Sequence, residues 1–349
     1  MLTDKLKDIA KRALDKGLIA GAITLRKTAP DAAMHTLLTD SKMLDDADPL
    51  IPYFPGNSAN FIKKLTKLEP TQGKLLAILR PCEMRASVEL VKLAQIQNQN
   101  IIWLVHDCYG TLQRKDYSGI ELPSGDEFFA KVQKEFAQKI RPICTGCDFA
   151  RTDTCDIGFL IFENNSPFVA YTDTGKEFLK SLGIEFLETA PAEGLEKVSK
   201  DKADGKKALY EKLSNEAKGL DNILKKLSRC INCHNCMANC PICICRECFF
   251  ESEALDFEGD SFVELAMRKG GLRAPTDVML FHIGRMSHMA TSCIACGACE
   301  EACPEDIPIG QIFKWVSEDV QAEFDYVAGR KWDDELPLKT FREEELEPK

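Results

Sequence analysis

Short apolar runs alternate with amphipathic stretches through the first two hundred residues. The runs have the length of buried strands, and the stretches between them repeat their apolar positions with a helical period. The predicted strands are residues 18–26, 74–80, 101–106 and 157–163, and the clearest predicted helices are residues 58–68 and 82–96. Strands that alternate with helices indicate a largely parallel sheet with helices on both faces. We therefore predict an α/β domain over residues 1–200.

The pattern changes beyond this point. A charged segment predicts a helical linker over residues 201–228, and the cysteine-dense part that follows has few strand-like runs. We therefore expect a second, mainly α-helical domain over residues 229–310. Residues 308–324 have the period of a helix, and an acidic tail follows, so residues 311–349 are predicted to form a helix and a tail.

Composition places the chain among ordinary globular proteins. Its 349 residues, 44% hydrophobic and 29% charged, are enough for two domains with their own cores. No window reaches the roughly eighteen apolar residues of a membrane span, so we predict none. The N-terminal segment is a charged amphipathic helix pattern without the apolar core of a signal peptide. These features predict a cytoplasmic protein.

The net charge of −10 argues against nucleic acid as a partner, because phosphate binding needs basic patches. Much of this acidity lies between Val316 and Lys349, which hold eleven acidic and five basic residues. Two interpretations stay open for this tail: a solvated segment, or a docking segment for a partner subunit.

The chain holds 16 cysteines, too many and too clustered for a cytoplasmic protein without metal. Only Cys82, Cys108 and Cys155 lack another cysteine within four positions. Tight clustering of thiols in a compartment that keeps them reduced favours metal ligation over disulfides.

Two runs match the C-x2-C-x2-C-x3-C-P pattern that holds two [4Fe-4S] clusters in bacterial-type ferredoxins. In that pattern the fourth cysteine of each run ligates the other cluster. The predicted ligands of one cluster, which we call set I, are Cys230, Cys233, Cys236 and Cys303. The predicted ligands of the other, set II, are Cys293, Cys296, Cys299 and Cys240. Zinc also uses C-x2-C pairs, but it would leave the third cysteine and the following proline of each run unexplained.

Three histidines accompany these runs. His234 lies inside the first run, and His282 and His288 precede the second. We expect them to lie beside the clusters, hydrogen-bonded and neutral; the alternative is a ligand or proton-relay role.

Four further cysteines could meet in the first domain. Cys82 and Cys108 follow two predicted parallel strands, at the edge where open α/β sheets place ligands, and Cys144 and Cys147 form a C-x2-C pair. From the residues alone, buried free thiols are the alternative.

The chain resembles the beta subunits of archaeal formate dehydrogenases and of deazaflavin-reducing hydrogenases. The matching segments are RPCEMRA (80–86), HDCYG (106–110), RPICTGCDFA (141–150), RCINCHNCMANCPICICREC (229–248) and HIGRMSHMATSCIACGACEEACPEDIPI (282–309). The resemblance implies that Cys82, Cys108, Cys144 and Cys147, which we call set III, bind a [4Fe-4S] cluster beside a bound FAD. It also implies partner subunits, either a catalytic dehydrogenase or hydrogenase or a subunit like heterodisulfide reductase.

Once these twelve ligands are assigned, four cysteines remain. They are Cys155, Cys243, Cys245 and Cys248, enough for a fourth cluster that would link the two domains. The alternative is that they are buried or incidental thiols.

The flavin site is predicted less directly. The candidate residues are Asn57, Ser58, Asn60, Arg80, Pro81 and Glu83. A helix N-terminus near Asn57 suits anionic groups, although Asn57 or Ser58 could equally be a plain helix cap.

Two functional hypotheses follow from the resemblance. In the first, an oxidoreductase subunit with FAD and clusters exchanges electrons with a deazaflavin or nicotinamide carrier. In the second, a flavin-free relay holds clusters only. The relay is favoured by a helix that opens at Thr3, without the family's preceding Gly-Gly turn, and by the lack of a G-x-G-x-x-G fingerprint. No catalytic residue is assigned.

Overall fold

A seven-stranded sheet forms the centre of the N-terminal part of the chain. The computed structural model describes residues 1–255, 259–270, 278–337 and 339. The strands are β1 (Gly21–Ala29), β2 (Ala32–Leu38), β3 (Leu75–Leu79), β4 (Ile101–His106), β5 (Ile157–Phe159), β6 (Phe168–Ala170) and β7 (Phe186–Leu187), in the spatial order β2-β1-β3-β4-β5-β6-β7.

The four central strands are parallel, as the alternation of strands and helices predicted. β3 pairs with β1 on one side and β4 on the other, and β4 pairs with β5. β1–β2 and β5–β6 are antiparallel, and β6–β7 is parallel. The predicted mostly parallel α/β sheet is confirmed. The pattern missed β2, because this edge strand is only partly buried and reads as a mixed segment.

The helices lie between these strands and over the C-terminal part. They are α1 (Leu2–Asp15), α2 (Ser58–Thr66), α3 (Pro81–Lys92), α4 (Gly125–Lys131), α5 (Pro142–Thr145), α6 (Asp173–Leu182), α7 (Glu193–Ala217), α8 (Leu220–Leu227), α9 (Asn235–Ala238), α10 (Gly259–Lys269), α11 (Val278–Met289), α12 (Ala298–Glu301) and α13 (Ile309–Glu323). Residues 132–136 add a π-helical turn after α4. None of the helices in the described ranges is long and apolar enough to cross a bilayer.

The two faces of the sheet bury different partners. On one face, Leu76, Ile102 and Phe159 pack with Leu6 of α1 and Leu179 of α6. This core contains no cysteine among its described members. It is an ordinary aliphatic and aromatic core, which depends on no metal.

The other face shares one core with the C-terminal region. Ala77, Trp103 and Val105 of the sheet belong to the same buried cluster as Phe281 of α11 and Phe313 of α13. Many of the cysteines pack against this cluster. The mainly helical C-terminal region is confirmed, and it is joined to the sheet by a continuous apolar interior.

Two helices connect these regions where the sequence predicted a linker. α7 ends at Ala217 and α8 starts at Leu220, with Gly219 in a positive-φ conformation between them. α7 also packs on α13, so it is a structural element and not a free tether. The predicted domain boundaries stay a prediction. Residues 340–349 of the acidic tail lie outside the described residues.

Candidate metal centres

Set I surrounds a small cavity in the C-terminal region. Its four cysteines line an open-sided space together with His282 of α11. The backbone N–H of Asn232 donates to the sulfur of Cys230 at 3.4 Å, and His282 Nε2 lies 3.4 Å from the same sulfur. The structure thus brings together the four thiols that the spacing predicted, although their role as ligands stays a prediction.

Set II repeats this arrangement. Its four cysteines line a neighbouring space. The N–H of Ala295 donates to the sulfur of Cys293 at 3.4 Å, in the place that Asn232 holds in the first run. Asn232 and Ala295 both have positive φ, at 53° and 58°. The two ligand loops therefore share one backbone conformation, which turns an N–H group toward the first sulfur of each run.

Set III lies where two parallel strands end. Leu79 and Val105 are paired in register, so the chain leaves β3 and β4 at the same edge of the sheet. Pro81 at once begins α3 and places Cys82 in its first turn, while Cys108 follows β4 and is held by a hydrogen bond from its N–H to Ala150 at 2.9 Å.

The C-x2-C pair comes to the same edge. The pKa of Cys82 is raised, first by burial and then by neighbours that include Cys108 and Cys147. Burial raises the pKa of Cys108 to about 11, with Cys144 among its neighbours. The four thiols of set III are therefore close enough to influence one another's charge.

Three arginines, none of which the sequence analysis singled out, lie among these sets. Arg141 Nη2 donates to the sulfur of Cys144 and to the carbonyl of Cys296, 3.2 Å in each case. Arg285 Nη1 donates to the sulfur of Cys236 at 3.0 Å. Arg85 donates to the carbonyl of Ile294 at 3.3 Å. The sequence offered only weak signs that these arginines lie near the thiols. Arg141 stands three residues before a C-x2-C cysteine, and Arg285 stands between the histidines of α11.

The structure supports a fit for anionic clusters in two ways. Nε and Nη1 of Arg141, and Nε of Arg285, are buried without a hydrogen-bond partner. Buried guanidinium groups left in this state are costly unless an anion faces them. In the described residues, no three His, Cys, Asp or Glu side chains converge tightly enough for a single ion. The thiols of sets I and II instead line cavities, as the ligands of a multi-iron cluster would.

Burial raises the pKa of several of these thiols. It raises the pKa of Cys236 to about 11 and that of Cys296 to about 12. Cys144 and Cys240 are exceptions with a lowered pKa; at Cys144, burial acts to raise the pKa, but Arg141 and Lys202 outweigh this. Cluster binding would displace protons from most of these sulfurs, so it would be favoured as pH rises.

Cys155 is buried in the core that the sheet shares with the C-terminal region, and Cys243 and Cys248 pack against the same core. Its thiol donates to the carbonyls of Thr152 and Ile157, at 3.7 and 3.4 Å. It precedes β5 and by register lies beside Ile102, six residues before Cys108, which is roughly 20 Å along a strand.

Cys243, Cys245 and Cys248 lie in the C-terminal region. Cys243 lies 3.5 Å from the sulfur of Met289, Cys248 lies 3.8 Å from that of Met237, and Cys245 is exposed. A hydrogen bond from Cys243 lowers the pKa of Cys240 to about 6. These contacts do not test the fourth cluster, which stays a prediction.

The predicted flavin residues form a network around the start of α3. Asn57 caps α2 by accepting from the N–H of Ala59 at 3.0 Å, and its amide donates to the carbonyl of Cys82 at 3.4 Å. Glu83 accepts from the N–H of Arg80 at 2.9 Å and lies 3.1 Å from His35 Nε2.

Three further contacts complete the network. Arg80 donates to the carbonyls of Ile51 and Tyr53, at 2.6 and 3.0 Å. Asn60 donates to the carbonyl of Asn239 at 3.2 Å, and the hydroxyl of Ser58 is buried without a partner. Pro81 is the first residue of α3. These six residues thus position Cys82 and join α2 to the first cysteine run.

The histidines follow the expected pattern in part. Burial lowers the pKa of His282 to about 4, which keeps this ring neutral beside Cys230. His234 has a positive φ, lies 2.8 Å from Glu251 and stacks on Phe281. No contact assigns a role to His288.

Comparison with known proteins agrees with this geometry. Residues 226–307 match the family model of the 4Fe-4S dicluster domain. The F420-dependent formate dehydrogenase subunit beta of Methanocaldococcus jannaschii is 26% identical over 366 residues, which cover 91% of this chain and 89% of that protein. The F420-dependent formate dehydrogenase 1 subunit beta of Methanococcus maripaludis is 28% identical over 370 residues, covering 94% and 90%.

This chain is a homologue of those beta subunits. The resemblance predicted from the cysteine motifs is confirmed. A chain of the F420-reducing [NiFe] hydrogenase complex from Methanosarcina barkeri covers 62% of this chain and 86% of its own length, at 17% identity and a TM-score of 0.42. So low a score supports no conclusion about the fold. The dicluster match implies an iron–sulfur electron-transfer subunit of a redox complex.

Proposed function

We propose that this chain carries electrons for a formate dehydrogenase of the F420-dependent kind, through [4Fe-4S] clusters held at set III, set II and set I in that order. One end of the path would lie near a two-electron carrier of the deazaflavin type, and the other would face a partner subunit. The names of the homologous beta subunits support the carrier and the partner.

The observation that carries this proposal is the contact of Arg141 with two sets at once. One guanidinium nitrogen touches Cys144 of set III and Cys296 of set II, at 3.2 Å each. The atoms it touches are therefore at most about two hydrogen-bond lengths apart. Sets I and II are linked by the chain itself, since Cys236 of set I lies in the single turn of α9 and Cys240 of set II follows that turn. On this basis the clusters would follow one another in the order III, II, I.

The protein's own residues hold this row in place. The shared core fixes the sheet against α11 and α13, and many of the thiols pack against it. Lys202 adds a buried ammonium that donates to the carbonyl of Cys144 at 2.8 Å. These groups would keep the sets at constant separation, on which electron transfer by tunnelling depends.

FAD, when bound, would supply the exchange between hydride transfer and single-electron transfer. In this form of the proposal it would lie near set III, at the carboxyl edge of the sheet, where Asn57, Arg80 and Glu83 surround Cys82. The buried, unpartnered hydroxyl of Ser58 is the polar atom of that network that is left for a ligand.

A flavin-free relay is the second candidate, and one observation favours it. Asn57, Arg80 and Glu83 are buried and engaged in bonds that support the backbone around Cys82. They would have to exchange those bonds to hold a flavin. In the relay, a partner subunit would supply the two-electron chemistry.

The number of clusters is tested by iron content after anaerobic purification of the intact complex. We expect about twelve irons in this chain, about four for each set. Cys108→Ala should remove about four irons and leave the others, because set III shares no ligand with sets I and II. A content of about eight irons that Cys108→Ala does not change would exclude a cluster at set III.

The flavin is tested on the same preparation, first with FAD in the buffers and then without it. About one FAD per chain, lost in a variant such as Ser58→Phe that retains its iron, would support the converter. The absence of flavin with all clusters retained would support the relay.

A further inference from the structure

A buried arginine stands at each junction between neighbouring sets. Arg285 of α11 lies at the junction of sets I and II. It donates to the sulfur of Cys236 at 3.0 Å and to the carbonyl of Cys236 at 3.1 Å. Only 2% of the residue is exposed. Burial acts to lower its pKa, but nearby thiols of set I and set II outweigh this and leave it raised.

Arg141 holds the equivalent place at the junction of sets II and III. It is also 2% exposed, and its contacts divide between Cys144 and Cys296. Gly297 allows this approach, since a Cβ at that position would lie 3.2 Å from Nη1 of Arg141. Both arginines contact aromatic rings: Arg141 stacks 4.3 Å from the ring centre of Phe54, and Arg285 lies 5.1 Å from that of Phe313.

No carboxylate forms an ion pair with either guanidinium among the described residues. Arg80, which is also buried, has the carboxylate of Glu83 3.8 Å from its Nη1, whereas Arg141 and Arg285 have sulfurs, carbonyls and unpartnered nitrogens. Glu300 and Glu301 act on Arg141 electrostatically without forming an ion pair, so they offset part of its charge. The remaining positive charge of both guanidinium groups faces the thiol sets.

The physical effect of such a charge is large. A [4Fe-4S] cluster with four thiolate ligands is anionic and becomes more negative on reduction. A fixed cation beside the cluster stabilises the reduced form, and it does so more strongly in a buried site than in water. It also weakens the repulsion between two neighbouring clusters that are reduced together.

We propose that Arg285 and Arg141 are redox-positioning residues, each of which raises the reduction potential of the two clusters on either side of it. The inference rests on the proposed chain of clusters and adds how that chain is tuned. Each charge acts on two clusters, so it shifts the reduction potentials of both in the same direction. The difference in potential between neighbouring clusters therefore stays small, and electrons can pass in either direction.

The test is a redox titration of the intact complex, followed by electron paramagnetic resonance, with Arg285→Gln and Arg141→Gln. Arg285→Gln should lower the equilibrium constant for reduction of the clusters of sets I and II by about tenfold or more. Each tenfold change lowers the reduction potential by about 59 mV. The potential of the cluster of set III should not change. Arg141→Gln should lower clusters II and III and leave cluster I unchanged. Cys108→Ala, which lacks cluster III, assigns its signal.

Charge is separated from shape by Arg285→Lys and Arg141→Lys. Lysine keeps the charge but not the two-pronged geometry, so the potentials should stay close to the parent values. Arg12→Gln, on α1 and bonded to Asp8 away from every thiol set, is the matched control and should shift nothing.

Iron content distinguishes a failure of the proposed cluster chain from a failure of the role proposed for the two arginines. If the parent protein lacks the expected iron, the proposed function itself fails. If the glutamine variants keep their iron and show unchanged potentials, or if all clusters shift equally, the inference about the arginines is wrong while the cluster chain stands.

Discussion

Gly329 lies directly against Arg85 of α3. A Cβ added at Gly329 would lie 2.6 Å from both Cα and Cβ of Arg85, closer than real Cβ atoms approach. The residue also has a φ of +70°, which favours glycine. Arg85 in turn donates twice to the carbonyl of Ala328, at 3.0 and 2.6 Å. The segment after α13 is therefore clamped to the helix that begins with Cys82.

We expect Gly329→Ala to lower the free energy of unfolding by more than about 2 kcal/mol. The positive φ and the overlap with α3 both contribute. Gly17→Ala is the matched control, because Gly17 has a φ of +67° with nothing within 4 Å of the added methyl group. It should cost only about 1 kcal/mol. Chemical denaturation of both variants measures the difference, and equal losses would show that the close packing carries no weight.

Cys155→Ala tests the fourth predicted cluster. From its position beside mid-β4, bonded to Thr152 and Ile157, we expect this variant to keep all of its iron and to lose only about 1 kcal/mol of stability. Iron analysis beside Cys108→Ala is the measurement. A loss of about four irons in Cys155→Ala would instead support the fourth cluster that the cysteine count predicted.

The two ligand loops offer opposite substitutions. Ala295 has a φ of +58°, so Ala295→Gly should relieve strain and stabilise the protein by about 1 kcal/mol. Gly297 has a φ of +72°, and its added Cβ would lie 2.7 Å from Ile143. Gly297→Ala should therefore destabilise by more than about 2 kcal/mol and displace Arg141.

Thermal unfolding of the iron-loaded protein compares the two variants. Stability changes of the same sign would contradict the conformations assigned to these loops. Iron content serves as the control, since both substitutions leave every cysteine in place.

Removing the iron should loosen one part of the molecule selectively. α9 and α12 have four residues each, too few to be stable alone, and the cysteines around them pack in the shared core. The opposite face of the sheet has no cysteine in its described core. We expect hydrogen exchange after anaerobic chelation to rise in residues 229–251 and 290–310 and to stay slow in β3 and β4. Uniform protection would show that the clusters add nothing to the stability of the fold.

Much of this architecture follows from local pattern. β3 and β4 were evident because fully buried strands are continuous apolar runs, and sets I and II were evident because their spacing is periodic. α3 began at Pro81, one residue before the predicted start, since proline is favoured in the first turn. β6 and β7 were missed because strands of three and two residues carry no periodicity.

The rest depends on three-dimensional contacts that spacing does not encode. Arg141 and Cys296 are 155 residues apart in the chain, and no local pattern marks them as neighbours. Cys155 was grouped with three others by counting alone, and the register of β5 on β4 separates it only from Cys108 at the carboxyl edge of the sheet. Counting thiols identifies how many ligands are available, but only topology assigns them to a site.

The shared core that joins Trp103 of the sheet to Phe281 and Phe313 of the helical region limits how electron transfer could be regulated. A carrier domain on a swinging arm can be switched by moving it toward or away from its partner. In this chain, such a movement would expose the shared apolar core to water. Any regulation of electron transfer would therefore act where partner molecules bind and dissociate, and not by separating the sheet from the helical region.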